Sequence, residues 1–242
     1  MQSRQNIAKT AFEIIAEEAR RLYINKSADA LRNMPAREIL TSKVVEHINS
    51  YYKLGENDYI HFSYKEDEAR LKIDDQKIIF NENEARDNSF VWVINFIHDY
   101  ENFCRKLPFW SLTLSIQKNN ETIFSILQNP IIDILIFSEK GSGSVNNQRK
   151  VRAVSSSIDK IIGKSKNISI PNSLSSSKVL SLNSISIELV YLCLGIIDYY
   201  LISNDDYLKN QDCLLIAKEA GILVKKVDDY FVLANENNMS DI

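Results

Sequence analysis

The sequence predicts a mixed α and β fold, on three observations. Segments with apolar residues every three or four positions are interleaved with segments whose apolar residues alternate or run together, so helices and strands share the chain. Turn signals at Asn129-Pro130 and from Gly141 to Asn147 mark hairpins between strands. A length of 242 residues, with 45% apolar and 25% charged, is enough for one large domain or two small ones sharing a core.

Taken in order, residues 5 to 24 carry Ile7, Ala11, Ile14, Ile15, Leu22 and Tyr23 at helical spacing, with charges opposite. A second helix is expected from Arg37 to Tyr52. DYIHFSY, residues 58 to 64, alternates like a strand, and KIDDQKIIF gives another strand or hairpin. FVWVINFIHDYENFCRKLPFWSLTLSI reads as two apolar strands, VWVI and FWSLTLSI, around a polar joint of Asn95, His98, Asp99, Glu101 and Asn102. Strand, Asn-Pro turn, strand and a glycine-marked hairpin follow. The Ser- and Asn-rich stretch from Ser155 to Ser186 holds NISIP and KVLSLNS as short strand candidates. SIELVYLCLGIIDYYLI reads as a helix feeding a strand. DCLLIAKEAG is a short helix with Gly221 in the usual position after its end. ILVKKVDDYFVLAN gives two closing strands, and the last seven residues are expected to fray. The division expected is 1–154 and 155–242, with one continuous core.

A net charge of -3 excludes polyanion binding by bulk attraction, and no aromatic-basic motif points to nucleic acid. The three cysteines, Cys104, Cys193 and Cys213, are odd in number and far apart, which argues against a disulfide framework and for a reducing, cytoplasmic setting. The N-terminus is charged every few residues and is not expected to be a signal peptide. No apolar run nears the ~20 residues of a membrane span. Only six glycines occur, where average usage of ~7% would give about 17. Compositional drift of an AT-rich genome is the favoured reading of this scarcity; the sharper one is fewer places where backbone can close on a phosphate.

Trp92-Val93-Ile94-Asn95-Phe96-Ile97-His98-Asp99-Tyr100-Glu101-Asn102-Phe103 aligns without a gap on the W-V-I-D-P-[IL]-D-G-T-T-N-F signature of the inositol monophosphatase family, SuhB-type members included. Further pieces follow in the family's order. Arg105 to Phe109 resembles its R-x-P-F entry to the next strand. Asn129-Pro130 with LIFSEKGSGSVNN resembles its N-P and K-G-x-G hairpin. Ser184 to Tyr200 resembles the G-S-A-A-L-D-L run, and Asp212 to Gly221 the W-D-x-A-A-G run. The resemblance implies a layered αβαβα sandwich, a homodimer, and a Mg²⁺-dependent phosphomonoesterase site. In such a site two or three Mg²⁺ ions are held by hard anionic oxygens, polarise the phosphate and activate a water.

Carried over residue by residue, the resemblance puts Glu66, Asn95, His98 and Tyr100 at catalytic positions. It puts Glu66, Asn95, Ile97, His98 and Asp212 at metal positions, and Asp99, Ser184, Leu201 and Asp212 at substrate positions. The residue types depart from that chemistry. Asn95 stands for the first aspartate and brings no charge. His98 stands for the second, and imidazole is a poor Mg²⁺ ligand. Asp99 replaces a glycine and Tyr100 a threonine, where both would crowd the phosphate. The family's T-x-x-D appears as Leu40-Thr41-Ser42-Lys43, a substrate-reading glutamate falls on Leu201, and Gln211 replaces the tryptophan before Asp212.

The leading expectation is therefore an impaired or inactive family member acting as a binding or interaction protein, for which SuhB-type action on the transcription machinery is a precedent. The alternative is an active metal-dependent phosphomonoesterase on inositol or sugar phosphates, with a rearranged ligand set through Asp99 and Asp212 or a zinc or manganese site through His98. A chain without selected function is the third reading. His47 and His61 read as structural. The apolar segments FWSLTLSI, IFSIL and IIDILIF suggest a homodimer surface.

Overall fold

The structure, a computed structural model, describes residues 2–51, 58–62, 78–79, 87–154 and 159–240. The chain divides into two compact units, Met1–Leu135 and Ile136–Ile242. The glycine-marked hairpin thus belongs with the second unit.

In the first unit, helix α1 (Gln2–Asn25) buries Ala8, Ala11, Phe12, Ile15, Ala16, Ala19, Leu22 and Tyr23, the three-and-four spacing of one helix face. Helix α2 (Ala28–Arg32) starts at Ser27, whose side chain accepts from Ala30 N at 3.2 Å. Helix α3 (Ala36–Tyr51) follows Pro35, whose carbonyl accepts the first helical bond, from Ile39 N. Strands β1 (Asp58–Phe62), β2 (Ile78–Ile79), β3 (Phe90–His98), β4 (Ser111–Lys118) and β5 (Glu121–Asn129) lie in the order β2-β1-β3-β4-β5. β1 is parallel to β2 and β3, while β3, β4 and β5 pair antiparallel. α1 packs on α3, β4 and β5, and α3 packs on β3. Trp92, Ile94, Leu112, Leu114, Ile116, Phe124 and Ile126 are all buried.

The polar joint differs from the sequence reading. β3 does not stop at Ile94 but runs to His98, so Asn95 to His98 form the irregular end of a strand. The residues after it make helix α4 (Tyr100–Cys104). The Asn-Pro turn is an Asx-turn: Asn129 Oδ1 accepts from Ile131 N and Ile132 N, and its Nδ2 donates to the carbonyls of Pro108 and Trp110, both at 2.6 Å.

The second unit begins within strand β6 (Ile134–Glu139), which pairs antiparallel with β7 (Gly143–Asn146), as β7 does with β8 (Arg149–Val151). Strands β9 (Ile161–Lys164) and β10 (Lys178–Val179), helix α5 (Ile185–Cys193), β11 (Tyr199–Ser203), α6 (Asn204–Lys209), α7 (Gln211–Glu219), β12 (Leu223–Val227), β13 (Tyr230–Ala234) and α8 (Glu236–Met239) follow. Their sheet runs β10-β9-β11-β13-β12. α7 packs on β7 and on α5, α5 and α6 pack on β11, and α8 packs on β12 and β13. Gly221, at φ 90°, is the left-handed residue just past α7.

The NISIP segment is not a strand. Ile168 and Ile170 reach the core from irregular backbone before a 3-10 turn at Asn172–Leu174, and the strand lies earlier, at β9. Glu236 to Met239, within the stretch expected to fray, form helix α8 instead. Asn235 caps α8 by accepting from Asn238 N, and the buried Asn238 accepts from Lys160 Nζ at 2.8 Å and donates to the Asp198 carbonyl at 3.2 Å. The apolar segments proposed for pairing are largely internal: Leu112, Leu114, Ile116, Ile126, Leu127 and Ile136 are at most 2% exposed. Among the described residues no helix is long and apolar enough to cross a membrane.

Candidate functional site

The polar joint is built by three neighbouring pieces of the first unit: the end of β3, the start of α4 and the N-terminal turn of α3. Its shape comes from two left-handed residues. Ile97 has φ 58° and Asp99 φ 60°. Asp tolerates this region, whereas a β-branched residue there costs about 1–3 kcal/mol unless its surroundings hold it. The strand register shifts between Asn95 and His98, so the pairing with β4 jumps from Asn95↔Thr113 to His98↔Ser111. The jump brings His98 over Thr113.

His98 is 9% exposed. Its Nε2 lies 2.9 Å from the Thr113 hydroxyl and its Nδ1 lies 3.4 Å from the Asn95 amide nitrogen. With the Asn95 amide donating to Nδ1, Nε2 carries the ring hydrogen and donates to Thr113. Both ring nitrogens are thus engaged, and the Asn95 amide nitrogen faces the ring. Asp99 is the N-cap of α4, and its side chain makes no capping hydrogen bond. Its carbonyl accepts from Asn102 N and Phe103 N.

Tyr100 does not open toward a phosphate position. Its hydroxyl is 3.2 Å from the Leu31 and Met34 carbonyls, and its ring stacks on Phe103 at 5.9 Å. Burial, with Cys104 adding to it, pushes the phenol up to about 12 against the lowering pull of Arg37. The phenol therefore stays protonated and donates to those carbonyls. Phe103, Trp110 and Tyr23 close the cluster behind it, with Phe103 edge-on to Trp110 at 4.9 Å.

Arg37 is the residue that sequence reasoning missed. Its Nε donates to the Phe96 carbonyl at 3.2 Å and its Nη2 to the Ile97 carbonyl at 2.9 Å. Its guanidinium carbon is 4.7 Å from the Tyr100 ring centre. The T-x-x-D assignment to Leu40 through Lys43 does not reach the joint in this way: Leu40 and Thr41 are buried in α3, and Lys43 pairs with Glu18 at 3.1 Å.

Glu66 is outside the described residues. In the second unit, Ser184 is the N-cap of α5, its hydroxyl accepting from Ile187 N at 3.4 Å. Leu201 is wholly buried on β11, in a cluster with Ile162, Leu174, Tyr199 and Val232. Asp212 is in the first turn of α7, and its Oδ1 accepts from Cys213 N at 2.9 Å.

A Mg²⁺ ion needs several oxygen donors, mostly anionic, in near-octahedral array. Of the described joint, His98 offers an imidazole with both nitrogens engaged, Asn95 an amide turned to that ring, and Phe96 and Ile97 two carbonyls already bonded to a cation, which leaves Asp99 as the carboxylate beside them. These residues do not fit Mg²⁺.

No family model matches the chain. It is similar to the inositol-1-monophosphatase of Mesorhizobium japonicum, 22% identical over 159 residues, a stretch covering 60% of this chain and only 60% of that relative. It is also similar to the Nus factor SuhB of Buchnera aphidicola subsp. Baizongia pistaciae, 28% identical over 185 residues, covering 71% of this chain and 67% of the relative. Among solved structures, the extragenic suppressor protein SuhB of Bartonella henselae superposes with TM-score 0.71 at 16% identity, over 99% of this chain and 97% of that one. The fold is thus the layered α and β sandwich of that SuhB structure. The sequence likeness points the same way: the curated relatives it matches are inositol monophosphatases, fructose-1,6-bisphosphatases and a SuhB, all under 30% identical.

Proposed function

We propose that this chain is a catalytically impaired member of the inositol monophosphatase family that acts by binding a protein partner. The observation that carries the reading is the joint itself: where metal and phosphate chemistry calls for carboxylates and open donors, His98 is held by Thr113 and Asn95, and Tyr100 is turned to the Leu31 and Met34 carbonyls. The strand frame around them, Trp92, Ile94, Phe96 and Phe103, remains packed. Such a combination keeps a surface and a fold while removing transition-state stabilisation. The Buchnera relative is named a Nus factor, which supports a partner-binding role here. A cytoplasmic setting belongs to the same proposal, supported by three buried cysteines that form no disulfide with one another.

The purified protein is expected to hydrolyse inositol monophosphates no faster than a protein-free control at neutral pH with Mg²⁺. It is also expected to bind Mg²⁺ at least ~100-fold more weakly than an intact family member, since two lost ligand charges worth ~3 kcal/mol correspond to that factor. Clear Mg²⁺-dependent turnover, or micromolar Mg²⁺ affinity by calorimetry, would sink the impaired reading. Pulldown with the full chain from its own host tests the other half, and recovery of the bait alone would remove it.

A homodimer completes the proposal and rests on the family likeness, since the apolar strands β4 to β6 are largely internal. Size exclusion with light scattering should give twice the chain mass of 27.8 kDa. A single-chain mass at micromolar concentration would reject it.

A further inference from the structure

The left-handed Ile97 turns two successive carbonyls, those of Phe96 and Ile97, toward one place. Two gathered carbonyl oxygens are hard donors of the kind that a divalent cation takes. Here the place is filled from within the chain. Arg37 spans both oxygens with two N–H groups of its planar fork, at 3.2 and 2.9 Å. The guanidinium is held in turn: its carbon lies 4.7 Å from the centre of the Tyr100 ring, and that ring is fixed by hydrogen bonds from its hydroxyl to the Leu31 and Met34 carbonyls. Arg37 comes from the first turn of α3, where Ala36 is buried, so the helix sets the height of the fork.

We propose that Arg37 is the resident cation of the joint, a positioning residue that holds the left-handed Ile97 turn and the α4 that follows it without any metal ion. This deepens the impaired reading above and rests on it in one respect, that no divalent ion binds at these carbonyls. The arrangement explains how a β-branched residue keeps φ 58°: a charged donor pair opposes the strain. It also makes the order of the joint independent of divalent cations.

Hydrogen exchange on the full chain tests this, comparing a peptide across 96–107 with one across β4 and β5. The first reports α4 and its exit, where Asn102, Phe103, Arg105 and Leu107 N–H groups are bonded locally. In wild type, neither EDTA nor millimolar Mg²⁺ or Mn²⁺ should change exchange in the 96–107 peptide. In Arg37→Ala, exchange there should speed up roughly tenfold, the factor expected for losing a charge-assisted pair, while β4 and β5 stay protected. Millimolar methylguanidinium, but not NaCl, should restore part of that protection. Arg37→Lys keeps the charge without the fork and serves if the alanine variant does not fold; its protection should fall below wild type. Unchanged protection in the variants, or loss spread equally over β4 and β5, overturns the role of Arg37 and leaves the impaired reading standing. Protection in wild type that collapses in EDTA and returns with Mg²⁺ overturns both.

Discussion

Asp58→Ala is expected to lower the unfolding free energy by about 3 kcal/mol, the lower end of what breaking a buried ion pair costs. Asp58 is 0% exposed on β1. Its two oxygens accept from Arg4 Nε at 2.9 Å and Arg4 Nη2 at 3.0 Å, a bidentate pair, and Oδ1 also lies 3.3 Å from Trp92 Nε1. Arg4 is 19% exposed on its side chain and stacks over Phe90 at 4.0 Å, so it keeps some solvent. That partial exposure holds the loss to the lower figure. Truncation leaves a guanidinium and a buried indole N–H facing a cavity. It also cuts the tie between α1 and the β1–β3 edge, and β3 carries the joint at its far end. Asp58→Asn should fall between, because one amide face would oppose the guanidinium. Urea unfolding followed by fluorescence of the two tryptophans, Trp92 and Trp110, gives the number. A loss under ~1 kcal/mol, the scale of a surface pair, would show that Asp58 is not the buried anchor described here.

The frame of the joint was legible because apolar strands announce themselves: Trp92, Val93, Ile94 and the run after Ser111 could only be buried sheet. Its side-chain chemistry was legible as residue types, since Asn95, His98 and Asp99 differ in charge and donor set from the signature they align on. Arg37 was not, because its partners are the Phe96 and Ile97 carbonyls, and a main-chain acceptor has no sequence signature. Nor does any residue type reveal that Ile97 is left-handed. The same limit explains α8: Glu236 to Met239 is polar, without apolar period, and forms through the Asn235 cap and the buried Asn238 network. β9 was hidden for the opposite reason. IIGK is short, holds a glycine and lies within the Ser- and Asn-rich stretch, while the alternating isoleucines of NISIP reach the core from outside any strand.

That glycine gives the second large effect. Gly163→Ala is expected to cost about 2–3 kcal/mol, within the range for overpacking a core. Gly163 on β9 is the register partner of Tyr200 on the parallel strand β11. A Cβ there would lie 2.6 Å from Tyr200 Cδ2, 2.8 Å from Cε2 and 3.2 Å from Ile197 Cδ1. Tyr200 is 0% exposed and Ile197 1%, so neither side chain has open space to move into. The backbone of Gly163 is not left-handed, unlike that of Gly141, Gly143, Gly195 and Gly221, so conformational freedom is not what selects glycine here. The ring lying across the neighbouring strand selects it. The cost should therefore depend on the ring. In a Tyr200→Leu background, the same Gly163→Ala change should cost at least ~1 kcal/mol less, a coupling of the size measured between residues in contact. Urea unfolding of the four proteins in the cycle decides the matter. Strict additivity of the two substitutions would mean that the ring yields freely, and that glycine at this strand position serves something other than the close approach of Tyr200.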